Sequence, residues 1–530
     1  MPYNLPKIFI PSLQRYFPVL LSSFLLISSF PKLNLSFLVW IALVPFLFYV
    51  LKAQNPRESF KIGLIFGVIF FYGCQYWIYH SINFYGNISF FSSLCIVFLL
   101  CFYEGLYIGI FAALLNHLHN KSKFPITLIT PILWINLEYL RGILFTGFPW
   151  SMLGHTLYNS YYLIQICDIT GVFGLSFLIV FSNSIITLFF YNRTINKKTN
   201  HNLYINAAIF VILIISIIVY GQNCINYYNN KIDSPINVSI IQPSIEQDKK
   251  WDPQFQKYVM NTYKNLTLSS LNEKPDLIIW PETSLPFLYG TDRELTNDFN
   301  KFQQGLNTHL LFGSVLVRQM DRENYKLSNS AILLSPAGKI LYVYDKIHLV
   351  PFGEYVPLSD ILFFINKIVP TIGTFQQGQR YITAQSEIGD FATLICYEII
   401  FPDLIRKFYQ QRGDFIVTIT NDAWFGTTSG PYQHFIISKF RAIENRKPLI
   451  RAANTGISGF IDPTGKIIKS STLFERTVIT NKIYKNSDKT FYTKYGNIFI
   501  YISILINIVF LLWGQGGKPP CGIFKGRALK

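Results

Sequence analysis

Residues 390–398 read Asp-Phe-Ala-Thr-Leu-Ile-Cys-Tyr-Glu, a short, mostly apolar run that ends in a thiol, a phenol and a carboxylate. A run of this length bounded by polar residues fits a buried strand, and a side chain at a strand's end emerges where a cleft can form. Similar runs recur around it, at 236–242, 276–280, 309–317, 329–335, 339–346, 414–422 and 448–462. Ser335-Pro-Ala-Gly338 and Asp462-Pro-Thr-Gly465 are turn sequences between them. Helical stretches at 251–272, 292–307 and 431–446 fit between strands. Alternating strands and helices predict an α/β layered domain. Strands apolar on both faces predict sheets covered on both sides.

Cys396 is the only one of seven cysteines inside this segment. It therefore has no disulfide partner there, and it is either a buried structural thiol or a nucleophile. The reactive form is the thiolate, and a free thiol has a pKa of about 8.5. A neighbouring cation lowers that value, and a base can accept the proton. Two other strand ends offer such groups. Glu282 follows the run at 276–280, and Lys346 closes the run at 339–346. Taken singly, each is an ordinary surface charge. Taken together in that order, Glu282, Lys346 and Cys396 fit an acyl-transfer site.

Outward from this segment the composition changes. Of 75 charged side chains in 530 residues, only 16 lie in residues 1–230, while 55 lie in 231–495 and four, all basic, follow Leu512. The first 230 residues are a membrane domain by composition. Apolar stretches fall at 9–30, 33–51, 62–80, 89–116, 124–145, 160–191, 203–221 and 496–513. Each is near or above the ~20 residues that cross the hydrocarbon layer as a helix. Lys7, Arg15, Lys52, Arg57, Lys61, Lys121, Lys123, Arg193, Lys197 and Lys198 occupy one set of loops; the other set holds Lys32 and, near a helix end, Arg141. The positive-inside rule makes the first set cytoplasmic. Seven crossings then put the α/β segment outside, and an eighth returns the basic tail to the cytoplasm. The expected organisation is a membrane domain at 1–222, an external catalytic domain at 231–490, a C-terminal transmembrane helix at 496–513 and a cytoplasmic tail at 514–530.

The net charge of +17 does not indicate nucleic acid. Most of it lies in the membrane loops and tail, and the α/β segment carries only 30 basic against 25 acidic residues, without a basic face. Gly63-x-x-x-Gly67 and Gly105-x-x-x-Gly109 are candidates for close helix contacts. Glu104 and Glu138 are costly against lipid and are expected to face the bundle interior or the interface.

Trp280-Pro-Glu-Thr283, Tyr344-Asp-Lys346 with His348-Leu-Val-Pro-Phe-Gly-Glu354, and Cys396-Tyr-Glu398 together resemble the three signatures of the carbon–nitrogen hydrolase (nitrilase) superfamily. That resemblance implies a four-layer αββα sandwich and a Glu–Lys–Cys triad over about 236–485. With seven helices before this domain and one after, the whole chain resembles the apolipoprotein N-acyltransferase family. Lys250-Trp-Asp-Pro253, Gly147-Phe-Pro-Trp150, Asn421-Asp-Ala-Trp-Phe-Gly426 and Gly430-Pro-Tyr-Gln-His434 add to it.

The resemblance implies that Glu282 is the proton acceptor, Cys396 the nucleophile and Lys346 an oxyanion stabiliser. Glu354, Tyr397, Glu398 and Trp251 would support or bind substrate, Trp251 as part of a lid or a lipid contact. It further implies a phospholipid donor, phosphatidylethanolamine, and a diacylated apolipoprotein acceptor. The place would be the bacterial inner membrane, with the catalytic domain on the periplasmic side. No cofactor, metal or nucleic-acid partner is expected. Two other readings stand beside it: a membrane-anchored amidase or nitrilase acting on a small C–N substrate, and a transporter or receptor whose external domain binds ligand.

Overall fold

The computed structural model describes residues 10–121, 124–194, 201–231, 234–320, 325–356 and 375–513. Lys7, Lys123, Lys197, Lys198 and the basic tail 514–530 lie outside the described residues.

The α/β segment holds eleven strands among the described residues: β1 (Pro235–Gln242), β2 (Leu277–Ile279), β3 (His309–Met320), β4 (Tyr325–Leu334), β5 (Ile340–Asp345), β6 (Phe391–Ile395), β7 (Phe415–Thr420), β8 (Leu449–Ala453), β9 (Gly459–Ile461), β10 (Ile467–Ser470) and β11 (Thr477–Tyr484). They form two sheets, ordered β11-β1-β2-β3-β4-β5 and β10-β9-β8-β7-β6. In each, three neighbouring strands are parallel, β1-β2-β3 and β6-β7-β8, and the remaining strands join antiparallel; β6 is an edge of its sheet.

Alternation along the strands builds the layers, because successive side chains point to opposite faces. In the first sheet Leu277, Ile279, Leu311, Ala331 and Leu333 share one core with second-sheet residues such as Leu394 and Ile450. Their neighbours Ile278, Leu310, Phe312, Ile332 and Leu334 pack instead with Val259, Tyr263 and Phe299, from helices Gln256–Ser270 and Arg293–Leu306. The second sheet is covered by helices Pro402–Tyr409 and Gly430–Asn445. The result is the expected αββα sandwich.

Several boundaries differ from the sequence reading. Cys396 does not end β6 but opens a 3-10 turn, Cys396–Ile400. The run at 448–462 breaks into two strands that pair with each other, β8 and β9. The helix expected from 251 starts at Gln256, after a turn through Pro253. Strand β11 was not anticipated: its sequence TVITNKIY is half exposed and lacks the apolar continuity that marks the inner strands, yet it pairs with β1 along its whole length.

In the helical region, Phe90–Lys121, Ile126–Thr146, Phe173–Thr194 and His201–Asn230 are long and apolar enough to cross a membrane. Pro56–Gln75 and Ile78–Tyr85, bent by 62°, make a fifth if taken as one span. Tyr16–Ser28, Ser36–Lys52 and Ile498–Leu512 are apolar but shorter. By length and composition the described residues thus hold four or five spans where the sequence suggested eight. The stretch expected to cross at 160–191 begins as short turns, and its long helix starts only at Phe173. The reason is polar: Gln165 and Asp168 in those turns bind Arg446 at the end of helix Gly430–Asn445.

That helix joins the two regions. Phe435, Ile437 and Ala442 pack in the core that includes the second sheet, whereas Ile436, Phe440 and Ile443 belong to the core of the helical region. Both of its faces are therefore covered.

The two Gly-x-x-x-Gly motifs face each other. A Cβ on Gly63 would fall 2.5 Å from the Ile108 carbonyl oxygen and 3.0 Å from Gly109 Cα; one on Gly67 would fall 2.9 Å from Gly105 Cα. Helices Pro56–Gln75 and Phe90–Lys121 thus touch backbone to backbone. Gly63→Leu should lower the thermal midpoint of the detergent-solubilised protein, by an amount equivalent to roughly 1–3 kcal/mol of overpacking. Gly305→Ala, where nothing lies within 4 Å of the added carbon, should leave the midpoint unchanged or raise it.

Candidate active site

Four strands of the two sheets end at one place. After β2 the chain turns through Glu282, whose backbone is clamped on β3. Gly313 N–H donates to the Pro281 carbonyl (3.2 Å), and Ser284 N–H donates to the Gly313 carbonyl (2.8 Å). The approach is close enough that a Cβ on Gly313 would meet Glu282 Cα at 2.7 Å. From the other side Lys250 Nζ donates to the Glu282 carbonyl (2.8 Å) and to Thr283 Oγ1 (2.6 Å). Lys346 follows β5, and its N–H donates to the Asn329 carbonyl of β4 (2.9 Å). Cys396 follows β6 with φ +53°, a left-handed conformation uncommon for a residue with a side chain. Asn421 follows β7.

The side chains converge. Lys346 Nζ lies 2.8 Å from Glu354 Oε1 and 3.8 Å from Glu282 Oε1. Glu282 Oε1 also accepts from Asn329 Nδ2 (2.8 Å), and its Oε2 accepts from the Asn421 N–H (2.9 Å). Asn329 Nδ2 reaches Glu354 Oε1 as well (3.1 Å), and Glu354 Oε2 accepts from the Val350 N–H (2.8 Å). Glu282, Lys346 and Cys396 are all buried, at 6%, 1% and 8% exposure, so each charge must be answered locally.

Burial opposes the charge on Lys346, but Glu354 and Glu282 outweigh it and hold the ammonium above its ordinary range. The thiol moves the other way from the sequence expectation. Burial first, and then the Glu282 charge, push Cys396 well above its ordinary value; Lys346 pulls it down only in part. Burial and the Glu282 charge thus favour the protonated thiol over a preformed thiolate in the resting site.

Glu398 is wholly buried behind this cluster and ties its strands together. Its Oε1 accepts from Tyr344 Oη (2.7 Å), Ile347 N–H (2.7 Å) and His348 N–H (3.0 Å), and its Oε2 from Ile395 N–H (2.8 Å). One carboxylate thus fixes the residue after Lys346 and the residue before Cys396. Burial pushes its carboxyl up to about 7, against the pull of those donors. The Tyr397 ring packs on Phe148, His348 and Phe401. Trp251 stands apart, 41% exposed at the turn after Lys250.

Three residues around the Glu282 carboxylate and backbone escaped the sequence reading. Asn421 and Lys250 lie in segments that carry the family resemblance, yet nothing in those segments assigns either a role. Asn329 lies within a strand and carries no local signal, because its importance comes from pairing β4 beside β5. Among the described residues no group of three His, Cys, Asp or Glu side chains is placed to hold a metal ion.

A family model described as apolipoprotein N-acyltransferase N-terminal domain matches residues 22–185, and one described as carbon-nitrogen hydrolase matches residues 237–487. The apolipoprotein N-acyltransferase of Geobacter metallireducens is 37% identical over 490 residues, covering 92% of this chain and 93% of that protein. The apolipoprotein N-acyltransferase of Haemophilus influenzae is 34% identical over 509 residues, covering 94% of each.

A neutral thiol in the resting site has a kinetic signature. Alkylation of Cys396 by iodoacetamide, followed by peptide mass spectrometry, should accelerate by about tenfold per pH unit from pH 7 to 9 without levelling off, since only the thiolate reacts. A plateau already reached near pH 7 would mean that the sulfur is ionised at rest.

Proposed function

The chain belongs to the apolipoprotein N-acyltransferase family, and from that premise we propose that it carries a fatty acyl chain from phospholipid to lipoprotein as a thioester on Cys396. The family's activity is N-acylation of lipoproteins, so the chain is an acyltransferase with lipid and lipoprotein substrates, working at a membrane.

In the first half-reaction Glu282 accepts the Cys396 proton as the sulfur attacks the ester carbonyl of the donor, which we take to be phosphatidylethanolamine. Because the thiol is neutral at rest, proton removal and attack belong to the same step. The oxyanion forms toward the Lys346 ammonium and the Tyr397 N–H, where fixed positive charge in a dry site is most effective. Glu282 then protonates the departing glycerol oxygen, leaving a lysophospholipid and an acyl thioester. In the second half-reaction the α-amine of an S-diacylglyceryl-cysteine attacks that thioester. Glu282 takes the amine proton, an amide forms, and the proton returns to the Cys396 sulfur. Glu354 and Asn329 keep Lys346 and Glu282 from collapsing into a closed ion pair. Glu398 fixes the two strand ends, and Trp251, 41% exposed, meets lipid on this reading.

The observation that carries these roles is the burial of one carboxylate, one ammonium and one thiol at converging strand ends, with Glu282 and Lys346 each acting electrostatically on Cys396.

We further place the sandwich, 231–490, on the periplasmic side of the bacterial inner membrane, with 1–222 and 496–513 as membrane segments. The sandwich touches the turns around Lys32, Ser81 and Trp150, whereas Lys52, Arg57, Lys121 and Arg193 lie at the opposite helix ends. That distribution supports an external site. Both substrates carry two acyl chains, and extracting each chain into water would cost about 0.8 kcal/mol per CH₂; a site against the bilayer avoids this.

Incubating the detergent-solubilised protein with phospholipid should add the mass of one fatty acyl group to Cys396, and a diacylglyceryl-cysteine peptide should then remove it. Acylation elsewhere would remove Cys396 as the carrier, and release of ammonia from small amides without lipid would support the amidase reading instead. Lys346→Arg should lose nearly all turnover although charge is kept, because the planar guanidinium does not fit the ammonium's compact place between two carboxylates.

A further inference from the structure

Three sequence features play no part in acyl transfer as described: Glu104 inside an apolar helix, Gly147-Phe-Pro-Trp150, and Gly430-Pro-Tyr-Gln-His434. The structure links them in one buried series that ends on the backbone of Cys396. Glu104 Oε1 accepts from Arg141 Nη1 (2.6 Å), and the same nitrogen lies within reach of the carbonyls of Phe148 (2.9 Å) and Trp150 (2.7 Å). This fixes the loop that follows helix Ile126–Ile143. From that loop the Trp150 indole N–H donates to Gln433 Oε1 (2.6 Å), and Gln433 Nε2 donates to the carbonyls of Pro31 (3.2 Å) and Cys74 (3.1 Å).

The Trp150 ring lies against the ring of His434, with centroids 5.5 Å apart and planes 27° apart, and Phe425 closes the edge of both. His434 is fully buried. Its Nε2 faces the Cys396 carbonyl oxygen at 3.2 Å, and its Nδ1 is flanked at 2.9 Å by Asp422 Oδ1 and by Arg451 Nη2. A carbonyl only accepts, so Nε2 carries a proton and donates it.

Cys396 holds φ +53°, a conformation that persists in a side-chain-bearing residue only where its surroundings impose it. We propose that His434 is a positioning residue for the nucleophile. Its Nε2–H grips the Cys396 carbonyl and holds the strained turn so that Sγ and the Tyr397 N–H face the same reacting carbon. Trp150, supplied by the helical region, keeps the imidazole in place. On this account the helical region completes the site as well as anchoring it, and Glu104 serves through Arg141 rather than in transport. The proposal rests on Cys396 being the nucleophile.

The test measures acylation of Cys396 by mass spectrometry in the full-length, detergent-solubilised protein, across phosphatidylethanolamine concentrations. His434→Phe keeps a ring against Trp150 but loses the donor. It should lower the saturated acylation rate by roughly ten- to hundredfold, the effect of orphaning a buried acceptor, while KM for phospholipid stays within about twofold. His434→Gln, whose amide nitrogen reaches the place of Nε2, should recover most of the loss. A wild-type rate in His434→Phe, equal losses in Phe and Gln, or a loss confined to KM would overturn the proposal. If His434→Phe does not accumulate, Gln against Asn decides: Gln faster by about tenfold supports the grip, and equal rates refute it. Cys396→Ser in parallel separates the two readings. Turnover surviving there removes the nucleophile itself, whereas an inert Cys396→Ser beside a fully active His434→Phe removes only the role of His434.

Discussion

The site is organised around the Lys346 ammonium, held out of water. Lys346 is almost completely buried and meets two carboxylates, one at 2.8 Å and one at 3.8 Å. A buried charge without partners is among the costliest things a fold can contain, so everything near Lys346 is constrained to answer it. Glu354 supplies the short contact and is itself pinned by the Val350 N–H. Glu282 is kept at the longer distance by Asn329 and the Asn421 N–H, which leaves it free to take a proton. Asymmetry between the two carboxylates is therefore the basis of the different work proposed for them: Glu354 neutralises Lys346, and Glu282 carries the proton.

A second set of buried charges holds the two regions together. Helix Gly430–Asn445 runs between the second sheet and the helical region, and with the residues that follow it carries Lys439, Arg441, Glu444 and Arg446 into that seam. Lys439 Nζ donates to the Tyr158 carbonyl (2.6 Å), Arg441 pairs with Glu444 (3.0 Å), and Arg446 pairs with Asp168 (2.7 Å). The Arg441–Glu444 pair lies within the helix, but the Lys439 and Arg446 bonds cross to the helical region, and their groups would have to be resolvated if the seam opened, so relative sliding of the regions is resisted. The apolar residues of the same helix are divided between two cores, which adds a non-directional attraction to the polar register.

The sandwich was legible in the sequence because its inner strands are continuously apolar and its turns carry Pro and Gly. Strand β11 and the break between β8 and β9 were not, since one is a half-exposed edge and the other depends on how the chain folds back. The three principal site residues were visible because each follows a strand in a short motif. Their helpers Asn329, Asn421 and Lys250 act through tertiary proximity, and isolated polar residues carry no signal of that. The direction in which the thiol is pushed is hidden in the sequence for a related reason. The partner charges can be read from sequence, but the depth of burial that outweighs Lys346 cannot. The helix bounds were less legible than the apolar stretches themselves, because composition marks such a stretch without showing where its helix begins, as with the turns before Phe173.

The helix that is wetted on neither side also bears on how this molecule can be divided. A fragment cut after residue 230 would retain every residue of the proposed chemistry, yet it would present Ile436, Phe440, Ile443, the Lys439 ammonium and the Arg446 guanidinium to water. Such a piece is not a smaller soluble enzyme but an unfinished surface. Gene architectures that separate the two halves would need a substitute lining for that helix before the thiol could be presented at all.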